Sequence, residues 1–201
     1  LPMLGLGHVI RIPEVSPLLD VDMSTLSKII EAGFTLDYQE EFTYDYEWCT
    51  DLRPWIKKAD KGKLYLSVDT ETLGLRWYEK SFKVLTVQLC DEAGHAVSVP
   101  IDYDHTLEGE RNPKKYYTRP VSQVLRSKLV KQLKKLLEHN NVRSFGHNFK
   151  FDYLALKFAL GITVRHFQDD TICLVHGVNE NMLNKGLDEV TRQWVPELSG
   201  Y

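Results

Sequence analysis

Apolar positions recur along this chain with two periods, and the change from one to the other separates strands from helices. "LYLSVD" (64–69), "KVLTVQLC" (83–90) and "HAVSVPI" (95–101) are β-rich runs of strand length, the last two joined by the turn "DEAG". They predict a three-strand antiparallel meander. From Val121 to Glu138 the apolar residues Val121, Leu125, Leu129, Leu133, Leu136 and Leu137 recur at helical spacing, with Lys128, Lys131, Lys134 and Lys135 between them. "VRSFGHN" predicts a buried strand that breaks at Gly146, and "FKFDYLALKFAL" a helix that ends at Gly161. "VRHFQDD" fits a short strand or loop, and "TICLVHGV" and "LDEVTRQWV" fit two helices. A meander followed by alternating helices and strands implies an α/β fold, with a mixed sheet of antiparallel and parallel strands flanked by helices.

The first sixty residues carry mixed signals. "STLSKIIEAGF" predicts a short helix with Ser24 as cap and Gly33 as stop, and "LRPWIKKADKGK" another, with Pro54 tolerated in its first turn. Between them "LDYQEEFTYDYEWCTD" is acidic and aromatic, which suits a surface loop or a sheet edge. The sequence therefore divides into an N-terminal extension of unclear role (1–60) and a main domain (61–201).

Composition narrows the class. A 201-residue chain with 43% hydrophobic residues can build one solid core. No run has the length of a membrane span, so no membrane partner is expected. Cys49, Cys90 and Cys173 are odd in number and widely spaced, which fits no zinc pattern and suggests reduced thiols in an intracellular protein. The net charge of −3 hides a polarity: residues 111–143 hold ten Lys or Arg and a single acid, Glu138. Such a segment is either a solvated helix face or a surface for phosphates, with Lys114, Lys115, Lys128 and Lys131 as its candidate contacts. The ends, "LPMLGLG" and "PELSGY", suggest a fragment of a longer protein.

The chemistry concentrates in "YLSVDTETLGL" (65–75), where a buried-looking strand runs into Asp69 and Glu71. Alternation on an extended chain points both carboxylates to one side. Burying either without a partner is costly, and one hard cation with oxygen ligands, Mg²⁺ or Mn²⁺, would remove the penalty. The pattern also fits a strand end with a solvated acid. A second element strengthens the metal reading: "SFGHNFKFDYLAL" places Asn148 and Asp152 four apart at a helix start, hence on one face. Their bland roles would be a helix cap and a first-turn acid favoured by the helix dipole.

Taken together, "VDTETLGL", "GHNFKFDYLAL" and "DDTICLVHGV…LDEV" resemble the 3′–5′ proofreading exonuclease domain of family A (polymerase-I-like) DNA polymerases, within the DEDD exonuclease superfamily. The resemblance runs from about Lys63 to Pro196 and implies a ribonuclease H-like fold. It implies that Asp69 bridges two divalent ions, Mg²⁺ or Mn²⁺, that Glu71 helps hold the one beside the nucleophile, and that Asp152 serves the other. It also implies that Thr70, Thr72 and Leu75 line the pocket for the terminal nucleotide and that Asn148 supports it by hydrogen bonding. The implied partners are a single-stranded DNA 3′ end and a polymerase domain in the same parent chain.

One departure stands out. The family's third motif carries a fourth acid with a Tyr or His ahead of it, and no Y-x-x-x-D follows Asp152 here. His166 and Asp170 imitate the spacing, but they follow the second motif too closely, and "DDT" matches another element. His166 and His147 are read as structural. The third motif is therefore expected beyond Pro196, with a chain that ends before it weak or inactive alone. Three functions compete: a polymerase proofreading exonuclease, a free-standing DEDD exonuclease, and an inactive nucleic-acid-binding module.

Overall fold

The computed structural model describes residues 46–102 and 121–195, with Met23, Ser27, Ile30 and Glu31 as isolated helical positions. Most of the helix expected around "STLSKIIEAGF", with Ser24 and Gly33, lies outside the described residues, as do Lys114 and Lys115.

The residues Tyr44–Thr171 form one compact unit. Its six strands are β1 (Tyr46–Trp48), β2 (Leu64–Leu73), β3 (Lys83–Asp91), β4 (Ala96–Pro100), β5 (Val142–Gly146) and β6 (Phe167–Asp170), in the order β1-β4-β3-β2-β5-β6. The meander β2–β3–β4 is antiparallel. β5 joins β2, and β6 joins β5, in parallel register, and β1 adds a parallel strand to β4. Tyr46–Asp60, expected in the N-terminal extension, thus supplies an edge strand and all but the last residue of the helix α1 (Arg53–Lys61) to this unit.

Two further helices complete the core. α2 (Gln123–Leu137) begins at Ser122, whose hydroxyl accepts the Leu125 N–H, and it buries Leu129, Leu133, Leu136 and Leu137. α3 (Phe149–Leu160) buries Phe149, Ala155, Leu156 and Leu160 and ends at Gly161 in the left-handed conformation. These residues join Trp55, Ile56 and Ala59 of α1 and the apolar face of the strands in one cluster. Each fully buried leucine there stabilises the fold by about 1.5–3 kcal/mol.

A second unit includes Ile172–Val195, where Val175 of α4 (Thr171–Val178), Val190 of α5 (Leu187–Trp194) and Met182 from the segment between them form a small cluster of their own. Cys49, Cys90 and Cys173 are free thiols. Among the described residues no helix is long and apolar enough to cross a membrane.

One expectation needs correction. The sequence pattern ended the first meander strand at Asp69, whereas β2 continues to Leu73. Its pairing with β5 stops at Ser67, while its pairing with β3 goes on to Lys83. The carboxylates therefore lie where β2 projects past its parallel neighbour, at the carboxyl edge of the parallel strands. That edge is where open α/β sheets place their ligands.

Candidate active site

The alternation of β2 decides what each residue of "DTET" can reach. Leu64, Leu66, Val68 and Thr70 form its buried face, whereas Asp69 and Glu71 point the other way and are exposed. Opposite them on β3 stand Gln88 and Thr86, and the Gln88 side-chain amide donates to the Thr86 hydroxyl at 2.6 Å. The ladder slips immediately after Glu71, between Glu71 and Thr72. Such bulges bend a strand and re-aim its side chains, and they favour functional edges. Thr72 then donates its hydroxyl to the Gly74 carbonyl at 2.9 Å, closing the turn in which Gly74 adopts φ +89° and Leu75 stands exposed.

The second acid arrives on α3, and a glycine sets how closely that helix approaches. A Cβ at Gly146 would lie 2.8 Å from the Val68 carbonyl oxygen and 2.9 Å from the Phe149 ring, so only glycine permits this contact between β5, β2 and the helix start. Asn148 follows with φ 57°, a left-handed conformation that asparagine tolerates better than most residues. It occupies the cap position, but its exposed side chain makes no capping bond. Asp170 caps the helix instead, one carboxylate oxygen accepting the Asn148 N–H at 2.9 Å and the other the Phe149 N–H at 2.8 Å. The residue that imitated a third motif thus anchors the second one. His147 shares the turn: its Nδ1 lies 2.8 Å from the Thr171 hydroxyl, which also contacts the Gly146 carbonyl at 3.3 Å.

So held, Asp152 is 4% exposed and accepts a hydrogen bond from the Thr70 hydroxyl at 2.5 Å. Its pKa is pushed from 3.8 up to about 6, chiefly by burial, with the nearby negative charge of Asp69 adding to the rise and the Thr70 bond opposing it. The structure therefore links Asp152 to β2 through Thr70. Among the described residues it does not close Asp69, Glu71 and Asp152 into a group able to enclose a metal ion. Like charges with no cation between them favour this outcome: the buried carboxylate takes the neutral hydroxyl donor, and the two exposed ones stay in water.

The basic segment is only partly described. Lys128 donates to the Thr50 carbonyl at 3.0 Å, and with Lys131 it lines an open depression of about 700 Å³ along α2. Sequence reasoning did not foresee the Asp170 cap or the tie between Thr70 and Asp152. An acid directly before the helix-opening Thr171 was the one available signal for the first; for the second it was strand alternation, which turns Thr70 away from Asp69 and Glu71.

The family model of the DNA polymerase A 3′–5′ exonuclease matches residues 46–195, most of the chain. The chain belongs to this 3′–5′ exonuclease family. Solved structures share the fold. Brucella melitensis NrnC with bound Mg²⁺ superposes with a TM-score of 0.53 at 18% identity, over 78% of this chain and 62% of that one. The same protein bound to pGG gives a TM-score of 0.53 at 18% identity, covering 78% and 61%. A structure described as the apo form of a nuclease gives 0.52 at 18%, covering 78% and 60%. The exonuclease chain thus spans about three fifths of the length of these solved chains. Its mixed six-stranded sheet with flanking helices is the ribonuclease H-like fold that the DEDD resemblance implies.

DEDD exonucleases use divalent metals, and the donor set of this chain fits such ions. The three candidate ligands offer carboxylate oxygens alone, which suits a hard cation. No cationic side chain within the described residues pairs with Asp69, Glu71 or Asp152. The raised pKa of Asp152 is the electrostatic sign of the same deficit: a buried carboxylate beside another acid, with no positive charge among the described residues to share.

Proposed function

We propose that this domain removes nucleotides one at a time from the 3′ end of single-stranded nucleic acid, by metal-dependent hydrolysis that releases nucleoside monophosphates. The observation that carries this reading is the nearness of Asp69, on a strand projecting past its neighbour, to the buried Asp152 in the first turn of a pinned helix, whose pKa its charge raises, with no base among the described residues paired to either. Asp69, Glu71 and Asp152 would hold two divalent ions, Mg²⁺ or Mn²⁺. Bound there, such ions would supply an acidified water and a counter-charge for the leaving 3′ oxygen.

The chain's own residues prepare that site. The Thr70 hydroxyl fixes the Asp152 carboxylate, so one oxygen keeps a defined direction while the other stays available. Asp170 and Gly146 set the helix position on which that direction depends. Thr72, Leu75 and Asn148 lie on the two segments flanking the acids. The exposed Leu75 and the uncommitted Asn148 side chain offer an apolar surface and a hydrogen-bonding group to a terminal nucleoside. A fourth acid, with a Tyr or His ahead of it, would complete this set.

The setting we favour is an exonuclease that works without an attached polymerase. NrnC, with Mg²⁺ in one structure and pGG in another, supports it: matching 78% of this chain fills 61% of that one, so the NrnC chain is only about 260 residues long. That leaves no room for a polymerase. Proofreading within a polymerase is the second reading, favoured by the family that the chain matches. The test is a 5′-labelled single-stranded oligonucleotide with Mn²⁺, extending the chain past Tyr201 where the short form is slow. Stepwise shortening from the 3′ end, abolished by Asp69→Asn, is the expected result. Robust binding without cleavage by the extended form would replace the enzyme with the inactive binding module. Strong preference for a mismatched primer–template over three-nucleotide oligomers would favour the proofreading role.

A further inference from the structure

The loop after Glu71 does more than return the chain to β3. Residues 74–82 make two successive turns, closed by Glu79 N–H to the Arg76 carbonyl at 2.9 Å and Phe82 N–H to the Glu79 carbonyl at 3.1 Å. The loop leans on α3 through rings. Trp77 stacks on Phe158 with centroids 4.4 Å apart and planes 21° from parallel, and Phe82 meets Phe151 edge-on at 6.4 Å. Tyr78 sets its edge against Trp77 at 5.3 Å. Lys157 lies over both the Tyr153 ring, at 5.6 Å, and the Phe158 ring, at 5.9 Å.

Anchoring the loop accounts for the Trp77–Phe158 contact but not for what stays uncovered. Phe158 keeps 56% of its surface exposed after stacking, Tyr78 67% and Leu75 81%. Contiguous apolar exposure of this kind marks an interaction surface more often than a packing remnant. The charge around it has one sign. Residues 74–83 and 149–161 carry Arg76, Lys80, Lys83, Lys150 and Lys157 against Glu79, which is paired with Arg76, and the buried Asp152. A ring platform fringed by cations matches a polyanion that presents flat bases.

We propose that Trp77, Tyr78 and Phe158, with Lys157 and Lys80, form an accessory subsite. It stacks the bases of single-stranded nucleic acid a short way from the hydrolysed 3′ end. Continuity with the carboxylates argues for that occupant over a protein: the loop begins three residues beyond Glu71, and Phe158 stands six residues from Asp152, about 9 Å along the same helix. The strand held at Asp69 would thus cross the platform as it leaves. This inference rests on the proposed exonuclease reading for its direction but not for its measurement.

The test uses the full chain carrying Asp69→Asn, with a 5′-fluorescein dT12 oligonucleotide in EDTA and fluorescence anisotropy as readout. Replacing Phe158 and Tyr78 by Ala should weaken binding by roughly ten-fold or more, the usual effect of removing a stacked base contact. Lys157→Gln should lower the slope of log affinity against log salt by about 0.7. In the parent protein, dT12 should quench tryptophan emission, and Trp77→Leu should remove that quench. With Asp69 restored and Mn²⁺ present, hydrolysis of a two-nucleotide oligomer should be unchanged by the platform variants while that of dT12 falls. Unchanged dT12 affinity in the Phe158/Tyr78 variant, or equal losses on the two substrates, would overturn the proposal. A form extended past Tyr201 that binds dT12 through Trp77 yet hydrolyses nothing would sink the exonuclease reading and leave the platform standing.

Discussion

Asp152→Asn should make the metal-free protein more stable at neutral pH. The side-chain carbonyl oxygen of the introduced amide can still accept the Thr70 hydroxyl, so packing and hydrogen bonding survive while the buried charge goes. The wild-type carboxyl has a folded pKa of about 6 against an ordinary 3.8, so the folded state holds the proton more tightly than the unfolded one. Stability from that group is fully present below about pH 4 and is lost as pH rises through about 6. Two units at 1.36 kcal/mol each set an upper bound of ~3 kcal/mol at pH 7.5, and the same linkage gives ~1 kcal/mol at pH 4.5. Water reaching the cleft from the exposed Asp69 side trims both figures. Urea melts in EDTA at the two pH values are the assay. The variant should exceed wild type by about 1–3 kcal/mol at pH 7.5 and by about a third of that at pH 4.5. Added Mn²⁺ should then stabilise wild type more than the variant, closing the gap. A variant less stable than wild type at pH 7.5, or a difference independent of pH, would refute the electrostatic account.

Three further substitutions test the scaffold around that carboxyl. Gly146→Ala should lower stability by about 1–3 kcal/mol, because the new methyl meets the Val68 carbonyl oxygen, and thermal melting without a fall would refute the close approach. Asp170→Ala removes both bonds that cap α3 and should cost about 1–2 kcal/mol, with a matching loss of Mn²⁺ affinity measured by calorimetry. Thr70→Val deletes the hydroxyl that offsets burial, so the apparent pKa governing metal-free stability should move higher still. In the active form the same change should reduce kcat more than it alters KM, since it disorders the carboxylate proposed to hold metal.

The fold was legible because it rests on period. The alternation in "LYLSVD", the β-rich run "KVLTVQLC" and the leucine spacing of Val121–Glu138 each meet a single apolar core, so pattern and packing agree. β1 was legible only as a choice between surface loop and sheet edge, because its three residues are exposed there and no burial imposes alternation. The end of β2 was misjudged for a related reason: Thr70 through Leu73 are held by pairing with β3, a contact between distant residues that leaves no mark on local hydrophobicity.

The site was legible only as a set of residue types. Spacing identified Asp69, Glu71 and Asp152 as acids that could share a cation, but it gave no place to the threonine between the first two, which the resemblance set in the pocket for the terminal nucleotide. On a strand that residue must face the other way, toward the core and toward the helix bearing Asp152. The arrangement has a consequence for ion binding. Asp69 and Glu71 approach from the solvent side, already aligned by one strand, while Asp152 approaches from the buried side and is restrained by one hydroxyl. The two exposed carboxylates can take up an ion without rearrangement of the core. Asp152 must first exist as an anion, which burial and Asp69 oppose near pH 6. Occupancy near Asp69 lowers that barrier by cancelling the charge that raises it, so the first ion should strengthen the second.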